Sequence, residues 1–195
     1  IAHDGDADRT VVLDSDGEVV HEDTVLAILA EHFVRTSEAS DPVVVTTPNA
    51  SARIDDRVEA AGGRIERVRL GALHEGIASA REAGGEDTEV VFAGEPWKHV
   101  HPRSGGWIDG VASAATLAGL VARAGGLAPL RDPVVERPYR KVSVECPDDR
   151  KAAAMEYLET ALPEQFPAGE VDTEYGVRVD LPDGSWVLVR PSGTE

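Results

Sequence analysis

Between residues 41 and 93 short apolar runs alternate with helix-length amphipathic stretches, and this rhythm constrains the fold more than any other feature of the chain. Val43-Val44-Val45-Thr46-Thr47 reads as a buried strand ended by Pro48-Asn49, and a helix is expected from about Ala52 to Ala61, stopped by Gly62-Gly63. A strand from Arg64 to Leu70, a helix from about Leu73 to Ala83, the pair Gly84-Gly85 and a strand at Val90-Val91-Phe92-Ala93 repeat the pattern. Strands joined through helices of this length lie parallel in one sheet with the helices on its faces, so the fold class is α/β.

The flanks are of a different texture. Val11-Val12-Leu13 and Glu18-Val19-Val20 bracket Asp14-Ser15-Asp16-Gly17, a hairpin signal, and Asp23 is expected to cap a helix with Val25, Ile28, Leu29 and Phe33 on its apolar face. A long loop is expected from Glu95 to Trp107, after which Asp109 caps a helix running to Ala124. Gly125 to Pro138 reads as a linker with three prolines. Beyond it a smaller α+β module is expected: a strand at Tyr139 to Cys146, and a helix from Asp148 to Leu162 burying Ala153, Met155, Leu158 and Leu162. Two strands around Pro182-Asp183-Gly184 complete it.

The strongest chemical signal is Asp4-Gly5-Asp6-Ala7-Asp8-Arg9. In extended backbone, side chains at i, i+2 and i+4 share a side, so Asp4, Asp6 and Asp8 can converge on one hard cation such as Mg²⁺, and Arg9 suits an anion beside it. A calcium EF-hand loop starting at Asp4 would need Gly and Glu where Arg9 and Ser15 stand. A haloacid-dehalogenase nucleophile motif fits Asp6, Asp8 and Thr10 by letter, but His3, Asp4 and Gly5 interrupt the apolar strand it expects upstream, and no later acidic metal pair follows the Lys98 region.

Taken together, three separated segments resemble the α-D-phosphohexomutases, the phosphoglucomutase/phosphomannomutase family. Asp4 to Arg9 is similar to the metal loop, usually Asp-Gly-Asp-Gly-Asp-Arg; Gly94-Glu95-Pro96-Trp97-Lys98-His99 is similar to the sugar-binding loop; Arg190-Pro191-Ser192-Gly193-Thr194-Glu195 is similar to the phosphate-binding loop. The resemblance implies the C-terminal part of such an enzyme: residues 1–20 end a second domain, 21–130 form a third βαβ domain with a mixed sheet and flanking helices, and 131–195 form most of a fourth, truncated α+β domain.

The same resemblance implies roles. Asp4, Asp6 and Asp8 would hold Mg²⁺, Arg9 would meet phosphate, Glu95 would accept hydrogen bonds from two sugar hydroxyls, and His99 would assist proton transfer or bind substrate. The family pattern is Gly-Glu-x-Ser-Gly-His, so Trp97 and Lys98 depart from it; Trp97 could stack on a sugar face and Lys98 could reach a phosphate. Arg190, Ser192, Gly193 and Thr194 would clamp phosphate with a guanidinium fork, hydroxyls and backbone amides. No Thr/Ser-Ala-Ser-His-Asn-type phosphoserine loop occurs in these residues, and Leu70-Gly71-Ala72 takes no role, since Ala72 lacks a polar group.

The implied reaction is an intramolecular phosphotransfer between the 1- and 6-positions of a sugar phosphate through a phosphoserine and a bisphosphate intermediate. The missing N-terminal domains of the same protein would be partners, and the chain by itself is expected to be inert. The alternative is a non-catalytic sugar-phosphate-binding remnant. His101 is not expected to ligate a metal, for want of Cys or acidic neighbours at transition-metal spacing.

Charge and composition narrow the partners. With 36 acidic and 19 basic residues and a formal charge of −17, nucleic acid is not expected. Only three basic residues are lysines, a balance expected of a halophilic protein. No apolar run reaches the length of a membrane span and no signal peptide is visible, Cys146 is the sole cysteine, and a cytoplasmic location is expected. Ile1 falls inside what reads as a strand, so a native start is expected upstream.

Overall fold

The computed structural model describes residues 1–192 and divides into two compact units, residues 1–137 and residues 138 onward. The first unit opens with β1 (Ala2–His3) and β2 (Thr10–Val11), an antiparallel pair that brackets the aspartate-rich loop. The hairpin expected after it forms with a short ladder: Leu13 bridges Val19, Asp14 N–H donates to Glu18 O at 2.9 Å, and Gly17 supplies the turn at φ 83°.

Helix α1 (Glu22–Arg35) follows. Asp23 is not its cap. The His21 ring accepts from Asp23 N–H, while the Asp23 carboxylate, buried in the first turn, accepts from Ser51 N–H at 3.0 Å. The helix is also buried nearly all round, with Leu26, Ala27 and Ala30 inside as well as Val25, Ile28 and Leu29, because α2, α4, α5 and the sheet cover it from several sides.

The expected rhythm then appears as β3 (Asp41–Thr46), α2 (Arg53–Ala60), β4 (Arg64–Arg67), α3 (Leu73–Ala83) and β5 (Thr88–Glu95). β3 pairs in parallel with both β4 and β5. In place of the long loop expected after Glu95, β6 (Lys98–Val100) turns straight back and pairs antiparallel with β5, giving a mixed sheet of order β4-β3-β5-β6. Alternation sorts the core: Val44 and Phe92 pack with α1 and α2, whereas Val43, Val45, Val90 and Ala93 pack with Leu73 and Ile77 of α3 on the other face. Each fully buried valine or leucine contributes about 1.5–3 kcal/mol.

Asp109 caps α4 (Gly110–Ala124), its Oδ1 accepting from Ala112 N–H at 2.8 Å. The expected linker is not open chain. It holds the short α5 (Ala128–Arg131), and Val134 is buried in the core of this unit, held there by apolar contact that proline content alone does not reveal.

The second unit contains α6 (Asp148–Gln165) and an antiparallel sheet of β7 (Glu170–Asp172), β8 (Val177–Asp180) and β9 (Trp186–Val189). The segment expected to form a strand at Tyr139 to Cys146 joins no ladder among the described residues, and Val142 and Val144 are exposed. On α6, Met155, Leu158 and Leu162 are half-buried and Ala153 is exposed, so no residue of this helix is fully enclosed. No helix among the described residues is long and apolar enough to cross a membrane.

Candidate active-site edge

The strand order places the reversal of connection between β3 and β5, where parallel sheets open a crevice beyond their carboxyl ends. Thr46 closes the base of that crevice by donating its hydroxyl to Gly94 O at 2.8 Å. Glu95 ends β5 there, with Oε2 buried and lacking a hydrogen-bond partner. A carboxylate oxygen withdrawn from water and left unmatched costs free energy unless a ligand supplies the donor.

The aspartate loop lies against the same edge. Ligand atoms of Asp4, Asp6 and Asp8 fall within 4.8 Å of one another, but through a turn with Ala7 at φ 56° rather than through the extended backbone expected from their alternation. The loop closes by Ala7 N–H donating to Asp4 O at 3.2 Å, and it docks on α4 by Gly110 N–H donating to Ala7 O at 3.1 Å. That approach requires glycine: a Cβ at Gly110 would stand 2.5 Å from Ala7 O. Ala7 itself sits at φ 56°, where the family commonly carries glycine. Thr10 anchors the far side through its hydroxyl to Gly110 O at 3.1 Å.

Arg9 stands at the loop's rim, Nε 3.4 Å from Asp4 Oδ2 and 3.9 Å from Asp8 Oδ1. Partial desolvation pushes the Asp4 carboxyl up, but the Arg9 N–H and other hydrogen bonds outweigh it and hold Asp4 below the usual carboxylate range. Three oxygen-donor side chains this close, with Asp8 Oδ1 buried and without a hydrogen-bond partner, fit a hard divalent cation.

The segment expected to bind sugar is a tight reversal. Pro96 and Trp97 are the two turn residues between β5 and β6, with Trp97 at φ 70° and half-exposed. The third position of this turn is at positive φ, which glycine takes freely and tryptophan only with strain of about 1–2 kcal/mol. The strain is held by neighbours: Thr10 N–H donates to Trp97 O at 3.0 Å and Arg9 bridges Lys98. Lys98 does not extend into open space. Its Nζ lies 2.7 Å from Asp8 Oδ2.

His99 stands behind the turn, inside the protein and 1% exposed. Its Nδ1 lies 3.0 Å from Ser113 Oγ on α4, and His101 Nε2 lies 2.8 Å from the same oxygen, which also donates to Asp109 O. Burial, then the neighbouring His101, lowers the His99 pKa to about 3, so its ring is neutral. Burial also lowers His101. Among the described residues, the one cluster able to hold a metal is Asp4, Asp6 and Asp8, and His101 is outside it.

In the second unit Arg190 follows β9 and is half-buried, and Ser192 is exposed. Lys151 on α6 donates to Ser192 O at 2.6 Å, and Asp148 holds the same ammonium at 2.6 Å. Gly193 and Thr194, expected phosphate-clamp residues, lie outside the described residues. Sequence reasoning missed Lys151, Gly110 and Ser113. Lys151 had no motif around it, whereas Gly110 was legible as the glycine that opens a capped helix.

Known proteins agree with this architecture. Residues 21–138 match the model of phosphoglucomutase/phosphomannomutase alpha/beta/alpha domain III, and the chain belongs to that family. Over its whole length it is 42% identical to a phosphopentomutase of Thermococcus kodakarensis and 40% identical to a probable phosphoglucosamine mutase of Methanopyrus kandleri. It spans 42% and 41% of those relatives. A crystal structure of a phosphoglucomutase/phosphomannomutase family protein from Burkholderia thailandensis superposes with a TM-score of 0.71 at 25% identity, covering 100% of this chain and 40% of that one.

Proposed function

We propose that this chain is the metal-, sugar- and phosphate-binding part of a sugar-phosphate mutase, an isomerase that moves a phosphoryl group between two positions of one sugar. The observation that carries the reading is the joining of two loops far apart in sequence: Thr10 N–H on Trp97 O, and Lys98 on Asp8, tie the carboxylate cluster to the turn that presents Glu95. Asp4, Asp6 and Asp8 would hold Mg²⁺, which when bound supplies charge neutralisation to a transferring phosphoryl group. Glu95 accepts from sugar hydroxyls, Arg9 and Arg190 meet phosphate oxygens, and Ser192, Gly193 and Thr194 complete the clamp on phosphate. His99 acts from behind as a neutral ring that fixes the turn. Other domains of the same protein would provide the phosphoserine, and the bisphosphate would return its second phosphoryl group there.

Trp97 bears on which sugar is taken. In place of the serine usual in the family, an indole at the turn removes room and offers an apolar face, which favours a smaller, five-carbon sugar over a hexose. The phosphopentomutase relative at 42% identity supports that choice. Assay of the full-length protein with ribose, glucose and glucosamine 1-phosphates tests it: preference for ribose 1-phosphate is expected, and absence of mutase activity with all three sugars overturns the functional reading. The 195-residue chain alone is expected to show no turnover.

A further inference from the structure

We infer that Lys98 is a resident counter-ion of the metal loop, seated on Asp8 so that a divalent cation binds there against its charge. The inference rests on the metal-loop reading above and adds a determinant to it. Lys98 Nζ lies 2.7 Å from Asp8 Oδ2, with the two side chains 26% and 25% exposed. The pair is therefore partly shielded from solvent and screened less than a surface ion pair. Asp8 Oδ1, the opposite oxygen, is buried and accepts no hydrogen bond. One oxygen of this carboxylate thus sits on an ammonium, and the other lies 3.9 Å from Arg9 Nε, beyond hydrogen-bond distance.

The lysine reaches that place through backbone, not by chance extension. Arg9 and Lys98 face each other in an antiparallel bridge, and the strained Trp97 is held by Thr10 N–H, so Lys98 starts one residue from a fixed point. Asp4, Asp6 and Asp8 bring three negative charges; Arg9 and Lys98 bring two positive ones, leaving a residue of one. A divalent ion arriving on Asp8 meets a like charge within a few ångströms, which weakens its binding about tenfold or more while the ammonium stays. The glycine usual in the family at this position carries no such charge. Lys98 therefore keeps the loop shaped without a metal and sets a low metal affinity.

The test is calorimetric titration of the full chain with Mn²⁺, comparing the natural residue with Lys98→Met, Lys98→Gln and Lys98→Arg, with circular dichroism to confirm folding. The neutral variants are expected to bind Mn²⁺ about tenfold more tightly and the arginine variant close to the natural affinity. Two neutral side chains of different shape keep the comparison valid if one of them misfolds. Equal or weaker Mn²⁺ binding in the neutral variants overturns this inference and leaves the metal loop standing. No Mn²⁺ uptake by any of the four, or uptake undiminished in Asp8→Asn, overturns the metal-loop reading together with it.

Discussion

The two ends of the chain present their candidate ligand-binding loops in opposite ways. The aspartate loop of the first unit is braced on α4 through Gly110, on the β5–β6 turn through Thr10 and Trp97, and on Lys98 by an ion pair. The loop after β9 in the second unit is held by Lys151 donating to Ser192 O, on a module where, among the described residues, only Val177 and Val179 are buried hydrophobics. A site for a multiply charged ion needs fixed ligands, because the repulsion among its carboxylates must be restrained in advance. A loop that grips phosphate with backbone amides and hydroxyls can close on its anion, so looser support serves it.

The sharpest way to break this contrast is removal of a ligand from the braced loop. Asp8→Asn in the full-length protein should lower kcat/KM about 100-fold or more, since even partners behind metal ligands cost 10–100-fold; steady-state assay of the mutase reaction checks it. Next comes the brace. Gly110→Ala forces a Cβ to within 2.5 Å of Ala7 O, and the first unit should lose about 1–3 kcal/mol in chemical denaturation.

Acid should separate the units as well. His99 has a folded pKa lowered from 6.5 to about 3 by burial, and that of His101 is lowered too, so between those values the unfolded chain binds more protons than the folded one. The His99 contribution to the first unit's stability is then full above pH 6.5 and falls as pH drops from there toward about 3, by up to about 1.4 kcal/mol per pH unit, and His101 adds to the loss in the same direction. Thermal melts from pH 8 to about 4 read this, and replacing Ser113 by alanine should lower stability across the whole range by orphaning both rings.

Two smaller effects refine the comparison. Lys151→Met should raise KM for the sugar phosphate about threefold to tenfold with kcat little changed, as loss of uniform binding does. Ala7→Gly should stabilise the first unit by about 0.5–1 kcal/mol, because it releases the left-handed strain at φ 56° and gives part of the gain back as unfolded-chain entropy.

Much of the molecule was legible in advance. The strands around Val44 and Val91 and the helices between them follow from apolar runs, glycine stops and the Asp109 cap, all local signals. Asp4, Asp6 and Asp8 were legible as a cluster from their spacing, but they converge through a local turn closed by Ala7 N–H on Asp4 O and not through extended backbone. What escaped were features decided by distant neighbours: Val134 buried in what reads as a linker, Asp23 turned from helix cap to acceptor for Ser51, and the segment 139–146, which joins no ladder among the described residues.

The sequence by itself determined the α/β order, the family and the set of chemical groups, because each rests on spacing along the chain. Only the tertiary structure decided their condition. Bringing β6 back against β2 seats Lys98 on Asp8. Folding α4 under the same turn encloses His99 against Ser113 and sends its pKa down. Charge partners and burial depend on distance in space, and residues 8 and 98, or 99 and 113, are neighbours only after folding.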